Sequence, residues 1–207
     1  MTEWSESRLR DALRRAADPS SDYDLNPEAA PADAPLRPAG VLAAFRADDG
    51  RLVLTKRASG LRHHPGQIAL PGGKVDPGDA DAVAAALREA REEIGLDPSQ
   101  VRVLGCLPPH RTVTGFSVTP VLAVIDGPFA PVPEAGEVQE AFDLPFAHVA
   151  DPARYRVERR RWRGGWRSYH AAPFGPYYLW GATPRILLGP ARRLSPGCPR
   201  MCWRMPL

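Results

Sequence analysis

The chain has 207 residues, 43% hydrophobic and 25% charged, with a formal net charge of +3, which favours one globular domain with a buried core. No apolar run approaches the roughly 18 residues that a membrane-spanning helix needs, so a membrane partner is not expected. Three cysteines, Cys106, Cys198 and Cys202, do not suit a disulfide framework, and we expect a cytoplasmic protein.

Residues 1–36 are predicted to form an N-terminal helix followed by an irregular lead-in. Leu9 and Leu13 lie one helical turn apart in a charged stretch, which indicates a short amphipathic helix. Residues 18–36 are rich in Pro, Ala, Asp and Ser, a composition typical of irregular structure. The main domain is expected over residues 37–189, and the Pro- and Arg-rich residues 190–207 are expected to be a poorly ordered tail.

Apolar runs separated by turn residues predict strands on both sides of a central helix. Residues 40–45 and 52–55 flank the sequence Asp48-Asp49-Gly50, which is a hairpin signal. Strands that enclose a long helix favour an α/β layered domain. Further strands are predicted at residues 101–107, 117–125 and 177–180, and a closing helix is predicted to begin at Thr183.

Residues 70–96 carry the strongest functional pattern. Pro71-Gly72-Gly73 is a glycine-rich turn whose backbone can approach a ligand closely. The helix that follows places Glu89, Glu92 and Glu93 at i, i+3 and i+4, so their carboxylates share one face. Because like charges at this spacing destabilise a helix, a divalent cation such as Mg²⁺ or Mn²⁺ is expected over them. The alternative, a solvated acidic helix surface, is disfavoured by the adjacent glycine turn.

These residues resemble the Nudix box, which reads Gly, five residues, Glu, seven residues, Arg-Glu, aliphatic, any residue, Glu-Glu, any residue, Gly, aliphatic. The segment Arg88–Leu96 matches its second half. Counted from Gly73, the acidic position of the first half falls on Asp79, and eight residues rather than seven then follow. Asp76 and Asp81 are rival occupants of that position.

A second resemblance is to the signature of coenzyme A diphosphatases within the Nudix superfamily. That signature reads Leu-Leu-Thr-x-Arg-Ser/Ala, three residues, Arg, three residues, Gly, three residues, Phe-Pro-Gly-Gly. This chain keeps every spacing of the signature, in Val53–Ala58, Arg62, Gly66 and Leu70–Gly73. Two positions differ, with Val53 in place of Leu and Leu70 in place of Phe. The segment Tyr178–Thr183 also resembles the C-terminal Trp-Gly-Ala-Thr stretch of that subfamily.

The resemblance implies a Nudix-type α/β/α sandwich with a mixed sheet and a Mg²⁺- or Mn²⁺-dependent enzyme. The implied reaction is hydrolysis of the coenzyme A diphosphate bond, which gives 3′,5′-ADP and 4′-phosphopantetheine. Arg88 is expected to orient a ligand glutamate through hydrogen bonds, and the alternative is a surface pair with Glu92. The implied metal ligands are Glu89, Glu92, Glu93 and the carbonyl of Gly72.

The general base is left open among Glu89, Glu137 and Glu140. The last two resemble a Glu-Val-x-Glu segment of the family, with a pair of helix-surface carboxylates as the alternative. Coenzyme A carries a 3′-phosphate beside its diphosphate, so extra cations are expected near the substrate. No role is assigned to the histidines, and the aromatic residues Phe116, Phe174, Tyr177 and Tyr178 are expected in the core. The residues expected to bind substrate are Arg57, Arg62, Gly72 and Gly73.

The C-terminal region is strongly basic, since residues 151–207 hold twelve arginines against only Asp151 and Glu158. Residues 159–167 alternate around Gly164-Gly165, which predicts an exposed hairpin near an anionic small-molecule substrate. Nucleic acid is not the expected partner, and a homodimer is left open. The alternative functions are a Nudix hydrolase of ADP-ribose, a dinucleotide or a nucleoside triphosphate, and a non-catalytic nucleotide- or RNA-binding module.

Overall fold

The computed structural model describes residues 3–31, 35–162 and 164–195. Cys198, Cys202 and most of the expected tail lie outside these ranges. The α-helices in the described residues are α1 Glu6–Arg14, α2 Ala82–Ile94, α3 Phe146–Val149 and α4 Ala182–Leu194. The strands are β1 Ser20–Ser21, β2 Arg37–Arg46, β3 Leu52–Arg57, β4 Ile68–Ala69, β5 Gly72–Lys74, β6 Val101–Cys106, β7 His110–Arg111, β8 Phe116–Ile125, β9 Val138–Leu144, β10 Arg156–Trp162 and β11 Gly165–Ala171.

Strands β1 to β9 form one mixed sheet that is centred on β2 and β8. These two strands are parallel, whereas β3 pairs antiparallel with β2 and with β9. The predicted hairpin between residues 40–45 and 52–55 is confirmed by the pairing of Phe45 with Leu52. Strands β10 and β11 form a separate antiparallel hairpin, as the alternation around the glycines predicts.

The alternation of side chains along β2 separates two hydrophobic cores. Leu42 and Ala44 pack with the buried face of α2, whereas Ala43 and Phe45 lie in the cluster that includes α1 and α4. Successive strand residues point to opposite faces of a sheet, so one strand can serve both cores. The sheet therefore lies between helices on both faces, which confirms the predicted α/β/α sandwich with a mixed sheet.

The N-terminal helix shares the core of the main domain. Leu9 and Ala12 of α1 are fully buried, and the Trp4 ring stacks on Phe45 at a centroid distance of 5.8 Å. The Trp4 indole Nε1 also donates a hydrogen bond to the carbonyl of Ala47 at 2.9 Å. The apolar stripe predicted for this helix thus packs in the same hydrophobic cluster as strand residues of the main domain.

Helix α4 continues beyond Gly189, where the sequence predicted the end of the main domain. Ala191 and Leu194 are buried in the core, and the Leu194 carbonyl accepts a hydrogen bond from Arg8 at 2.8 Å. The helical spacing of apolar residues continues into this Pro- and Arg-rich sequence. The packing of these apolar residues therefore extends the helix, although the composition had predicted a poorly ordered tail. In the described residues, no helix is both long and apolar enough to cross a membrane.

Two further expectations differ from the structure. Residues 177–180 do not form a strand, since Tyr177 and Trp180 make only isolated bridges with Phe174 and Ala171. The helix considered as an alternative around Glu137 and Glu140 is wrong, because this segment leads into β9 and pairs with β3. Buried positions alternate along β9, which is the period of a strand.

Gly40 marks the closest approach of α2 to the sheet. A Cβ built on Gly40 would lie 1.9 Å from the Ala82 carbonyl oxygen at the start of the helix. We expect Gly40→Ala to lower the free energy of unfolding by about 2 kcal/mol or more, because the backbone must move. Chemical denaturation measures this loss. Gly60→Ala is the control, since its Cβ would meet no atom within 4 Å, and an equal loss there would contradict the explanation.

Candidate active site

Helix α2 is fixed at both ends by local signals in its sequence. The Asp81 side chain caps its start by accepting hydrogen bonds from the backbone N–H groups of Val83 and Ala84, each at 2.8 Å. Gly95 ends it in a left-handed conformation with φ of 69°, which glycine adopts without strain. Asp81, one of the three candidates for the acidic box position, is therefore the helix cap.

The glycine turn brings backbone directly against the acidic face of α2. Strand β5 pairs with β2, with Gly72 opposite Val41 and Gly73 opposite Gly40. A Cβ on Gly73 would lie 2.3 Å from Glu89 Oε1, so only glycine leaves room for this carboxylate. The Gly72 N–H donates to Glu93 Oε2 at 3.3 Å. The turn and two of the three predicted ligands are thus adjacent.

Glu93 is a buried carboxylate with few neighbouring groups that stabilise its negative charge. Its residue is 4% exposed, and burial raises its pKa to about 7. The hydrogen bond from Gly72 N–H and the positive charge of Arg57 oppose this rise, whereas the negative charges of Glu89 and Glu137 add to it. Glu93 therefore lies in an environment that disfavours its ionised form in the absence of a further cation.

Glu89 shares this environment. Its side chain is half-buried, and burial raises its pKa above the ordinary value for glutamate. The charge and hydrogen bond of Arg88 oppose this rise, while Glu92 and Glu137 add to it. Glu89, Glu93 and Glu137 are thus electrostatically coupled.

Arg88 connects the loop before α2 to the carboxylates on it. Its Nε and Nη2 each donate to Asp79 at 3.0 Å, and its Nη1 donates to Glu89 at 3.1 Å and to Glu92 at 2.8 Å. The guanidinium of Arg88 lowers the pKa of the Asp79 carboxyl. Among the three rivals, Asp79 is thus the main partner of Arg88, while Asp76 pairs with Lys74 at 2.8 Å and lies 3.6 Å from Arg88 Nη2.

Glu92 is placed differently from the other two predicted ligands. Its side chain is 57% exposed and paired with Arg88. Within the described ranges, no three His, Cys, Asp or Glu side chains are grouped so as to hold a metal ion by themselves. Mg²⁺ commonly takes one or two carboxylates and completes its shell with waters and substrate phosphates. Glu89 and Glu93, with raised pKa values beside a glycine turn, fit such an ion.

The structure separates the two outer candidates for the general base. Glu140 accepts a hydrogen bond from the Tyr177 hydroxyl, which raises the pKa of that tyrosine. The Tyr177 ring is stacked on Phe142 at 3.6 Å, so this pair is fixed by packing. Glu137 is exposed, and its charge acts on both Glu89 and Glu93. Glu137 alone of the two belongs to the acidic group.

A cavity of about 690 Å³ extends from the glycine turn. Gly72 and Arg57 line it, and the Arg57 Nε is buried without a hydrogen-bond partner. A buried donor without a partner is uncommon in proteins. Other lining residues include Asp22, Tyr23, Asn26, His64, Gln67, Arg160, Trp162, Arg167, Tyr169 and Trp180.

The sequence predicted this lining only in part. Arg62 is exposed and does not line the cavity, whereas His64, to which no role was assigned, does. The expectation that Tyr178 lies in the core is wrong, since it is 41% exposed, but Phe116, Phe174 and Tyr177 do pack against the core. The aromatic residues that line the cavity were not predicted from the sequence. The alternation of residues along the predicted hairpin is the sequence signal that could have indicated them.

The family model described as the NUDIX domain matches residues 36–162. The chain belongs to the Nudix family. It is 41% identical over 142 residues to the uncharacterized Nudix hydrolase NudL of Enterobacter sp. strain 638, which covers 69% of this chain and 74% of that relative. The NudL of Cronobacter sakazakii is 40% identical over 164 residues, which are 79% of this chain and 85% of that one.

Solved structures similar to this Nudix protein include an Ap4A hydrolase from C. elegans in a binary complex. It is 25% identical, with a TM-score of 0.45, over 52% of this chain and 79% of that one. The NUDIX domain of Shewanella oneidensis NrtR, complexed with ADP ribose, is 20% identical, with a TM-score of 0.43, over 62% and 84% of the two chains.

Family membership and the hydrolase relatives establish the enzyme class. This Nudix protein is a hydrolase that acts on the diphosphate of a nucleoside diphosphate linked to a further group. Nudix hydrolases generally use divalent cations such as Mg²⁺ or Mn²⁺. The acidic helix face and the glycine turn lie within the matched segment.

The raised pKa of Glu93 predicts a pH-dependent stability of the metal-free protein. Because the pKa of Glu93 is about 7 in the folded protein and that of an ordinary glutamate is 4.5, the contribution of Glu93 to stability is fully present below pH 4.5 and is lost as the pH rises through 7. In the presence of a chelator, the free energy of unfolding of wild type should fall by about 3 kcal/mol relative to that of Glu93→Gln over this pH range. Denaturation at several pH values measures it. Parallel curves for the two proteins would contradict the assignment.

Proposed function

We propose that this Nudix hydrolase cleaves the diphosphate bond of coenzyme A or one of its derivatives, giving 3′,5′-ADP and 4′-phosphopantetheine. The observation that carries the proposal is the position of Arg57, which lines the same cavity as Gly72 together with Arg160 and Arg167. Arg57 is the arginine of the coenzyme A diphosphatase signature. The signature and the cavity thus agree on the same side chain.

Glu89, Glu92 and Glu93 are assigned as the metal ligands, with the Gly72 carbonyl as a further one. A bound Mg²⁺ or Mn²⁺ supplies positive charge to the phosphate oxygens and lowers the pKa of a coordinated water. Glu89 and Glu93 already face the glycine turn. Glu92 is the exposed member of the set and is held by Arg88, which orients ligand glutamates rather than contacting substrate.

The reaction also needs a base to take the proton from the attacking water as a phosphorus–oxygen bond of the diphosphate breaks. Glu137 is the favoured base, because it is exposed and yet close enough for its charge to act on Glu89 and Glu93. Glu89 remains the second candidate. Glu140 is engaged by the Tyr177 hydroxyl and is therefore not the favoured base.

Arg57 is assigned to the substrate diphosphate, since its side chain lines the cavity and acts on Glu93. The open backbone at Gly72 and Gly73 allows a phosphate to approach closely. Arg62 lies on the loop before the turn, outside the cavity lining, and its contact with substrate stays a prediction.

A substrate panel tests the proposal. With Mg²⁺ or Mn²⁺ present, we expect coenzyme A to be hydrolysed with a higher kcat/KM than dephospho-coenzyme A or ADP-ribose. Product analysis should show 3′,5′-ADP and 4′-phosphopantetheine. Much faster hydrolysis of ADP-ribose, a dinucleotide or a nucleoside triphosphate would make the coenzyme A assignment wrong. Salt-sensitive RNA binding without any metal-dependent hydrolysis would favour a non-catalytic module.

Glu92→Gln tests the ligand set at its most exposed member. The change removes one negative charge from the metal site, and we expect turnover to fall by about 100-fold or more. The melting temperature should change little, because the side chain is 57% exposed. Glu28→Gln, an exposed glutamate outside the site, is the matched control. Turnover of Glu92→Gln equal to that of the control would refute this ligand assignment.

A further inference from the structure

One face of the β10–β11 hairpin forms a wall of the substrate cavity. Arg160 is paired with Arg167 across the two strands. Residues at alternate positions of a strand share a face, and Arg160, Trp162, Arg167 and Tyr169 all line the cavity. Ser168, between the last two, also reaches it. Arg161, which stands between Arg160 and Trp162, does not line it. The basic hairpin therefore has a cavity face and a solvent face.

The two arginines on the cavity face repel each other. Side chains directly opposite across an antiparallel pair have Cβ atoms about 5 Å apart, and like charges there are destabilising. Arg160 is held between aromatic rings, with its guanidinium 5.2 Å from the centroid of Trp162 and 5.5 Å from that of Trp180. Among the described residues, neither Arg160 nor Arg167 forms an ion pair with a carboxylate. An anion in the cavity would relieve this repulsion.

The hairpin is fixed in position before any ligand binds. The buried Asn26 side chain pairs with the backbone of Ser168, donating to its carbonyl at 2.8 Å and accepting from its N–H at 2.9 Å. The Tyr169 ring packs edge-on against Trp180 at 5.7 Å. The Tyr178 hydroxyl donates to Glu158 on β10. A site held in this way loses little conformational entropy on binding, which favours affinity.

We infer that Arg160 and Arg167 form a subsite for a second phosphate of the substrate, distinct from the diphosphate that is cleaved. The inference rests on the proposed function, in which this group is the 3′-phosphate of coenzyme A. Arg57 acts on Glu93 beside the glycine turn, whereas Arg160 and Arg167 belong to the hairpin. Guanidinium groups bind phosphate oxygens with paired hydrogen bonds, so two of them suit a terminal phosphate monoester.

Steady-state kinetics with coenzyme A and dephospho-coenzyme A tests the subsite. For Arg160→Gln and Arg167→Gln, KM for coenzyme A should rise about tenfold or more, because a charged hydrogen bond is lost. Their kcat should stay within about twofold to threefold of wild type, since neither arginine belongs to the proposed metal ligands or base, and dephospho-coenzyme A should be almost unaffected. Arg161→Gln, on the solvent face, is the matched control and should leave both substrates unchanged.

Binding of nucleotides separates this inference from the proposed function. Calorimetry should show that wild type binds adenosine 3′,5′-diphosphate more tightly than AMP and that Arg160→Gln removes the difference. This result would support the subsite even if coenzyme A were not hydrolysed, which would refute only the proposed function. Equal affinity of wild type for the two nucleotides would overturn the subsite. Equal losses in Arg160→Gln and Arg161→Gln would also overturn it, because they would indicate a diffuse basic surface.

Discussion

The burial of the Glu93 carboxylate against the glycine turn is the constraint on which the site depends. Burial raises its pKa to about 7, so the ionised form is unfavourable until a cation compensates it. Gly40 lets the helix lie close to the sheet, and Gly73 leaves room for Glu89 beside Glu93. The fold thus holds two carboxylates in a poorly solvated place, and a cation that binds there regains the free energy lost on ionising them.

Arg88 changes how the acidic helix face is to be understood. Glu89, Glu92 and Glu93 share one face, and the sequence predicted that a cation must lie over them. The structure supplies a cation from within the same motif, because Arg88 contacts both Glu89 and Glu92 and is itself fixed by Asp79. The burial of Glu89 and Glu93 beside Gly72 therefore favours a bound metal more strongly than the spacing of the glutamates does.

Much of the fold could be predicted, because alternating apolar residues and the capped helix α2 are local signals. The parts of the site that follow from the spacing of the Nudix box and of the coenzyme A diphosphatase signature could be predicted. The side chains that enter the cavity could not, because the register of strand pairing decides which of them do so. Pairing of β3 with β9 shifts between Lys56 and Arg57, and Arg57 enters the cavity while Arg62 stays outside. The strand at Val138–Leu144 likewise depends on its pairing with β3, a contact between distant segments.

The cavity is lined both by residues within the segment that matches the family model and by residues outside it. The family model ends at residue 162, so it includes the acidic helix and the glycine turn but not β11. Tyr23 and Asn26 precede the matched segment, whereas Arg167 and Trp180 follow it, and all four line the cavity. The acidic helix face and the glycine turn thus belong to the matched segment, and much of the cavity wall is added from both flanks. Because these flanking residues line the cavity from outside the matched segment, substrate preference can change in this architecture while the acidic helix face stays in place.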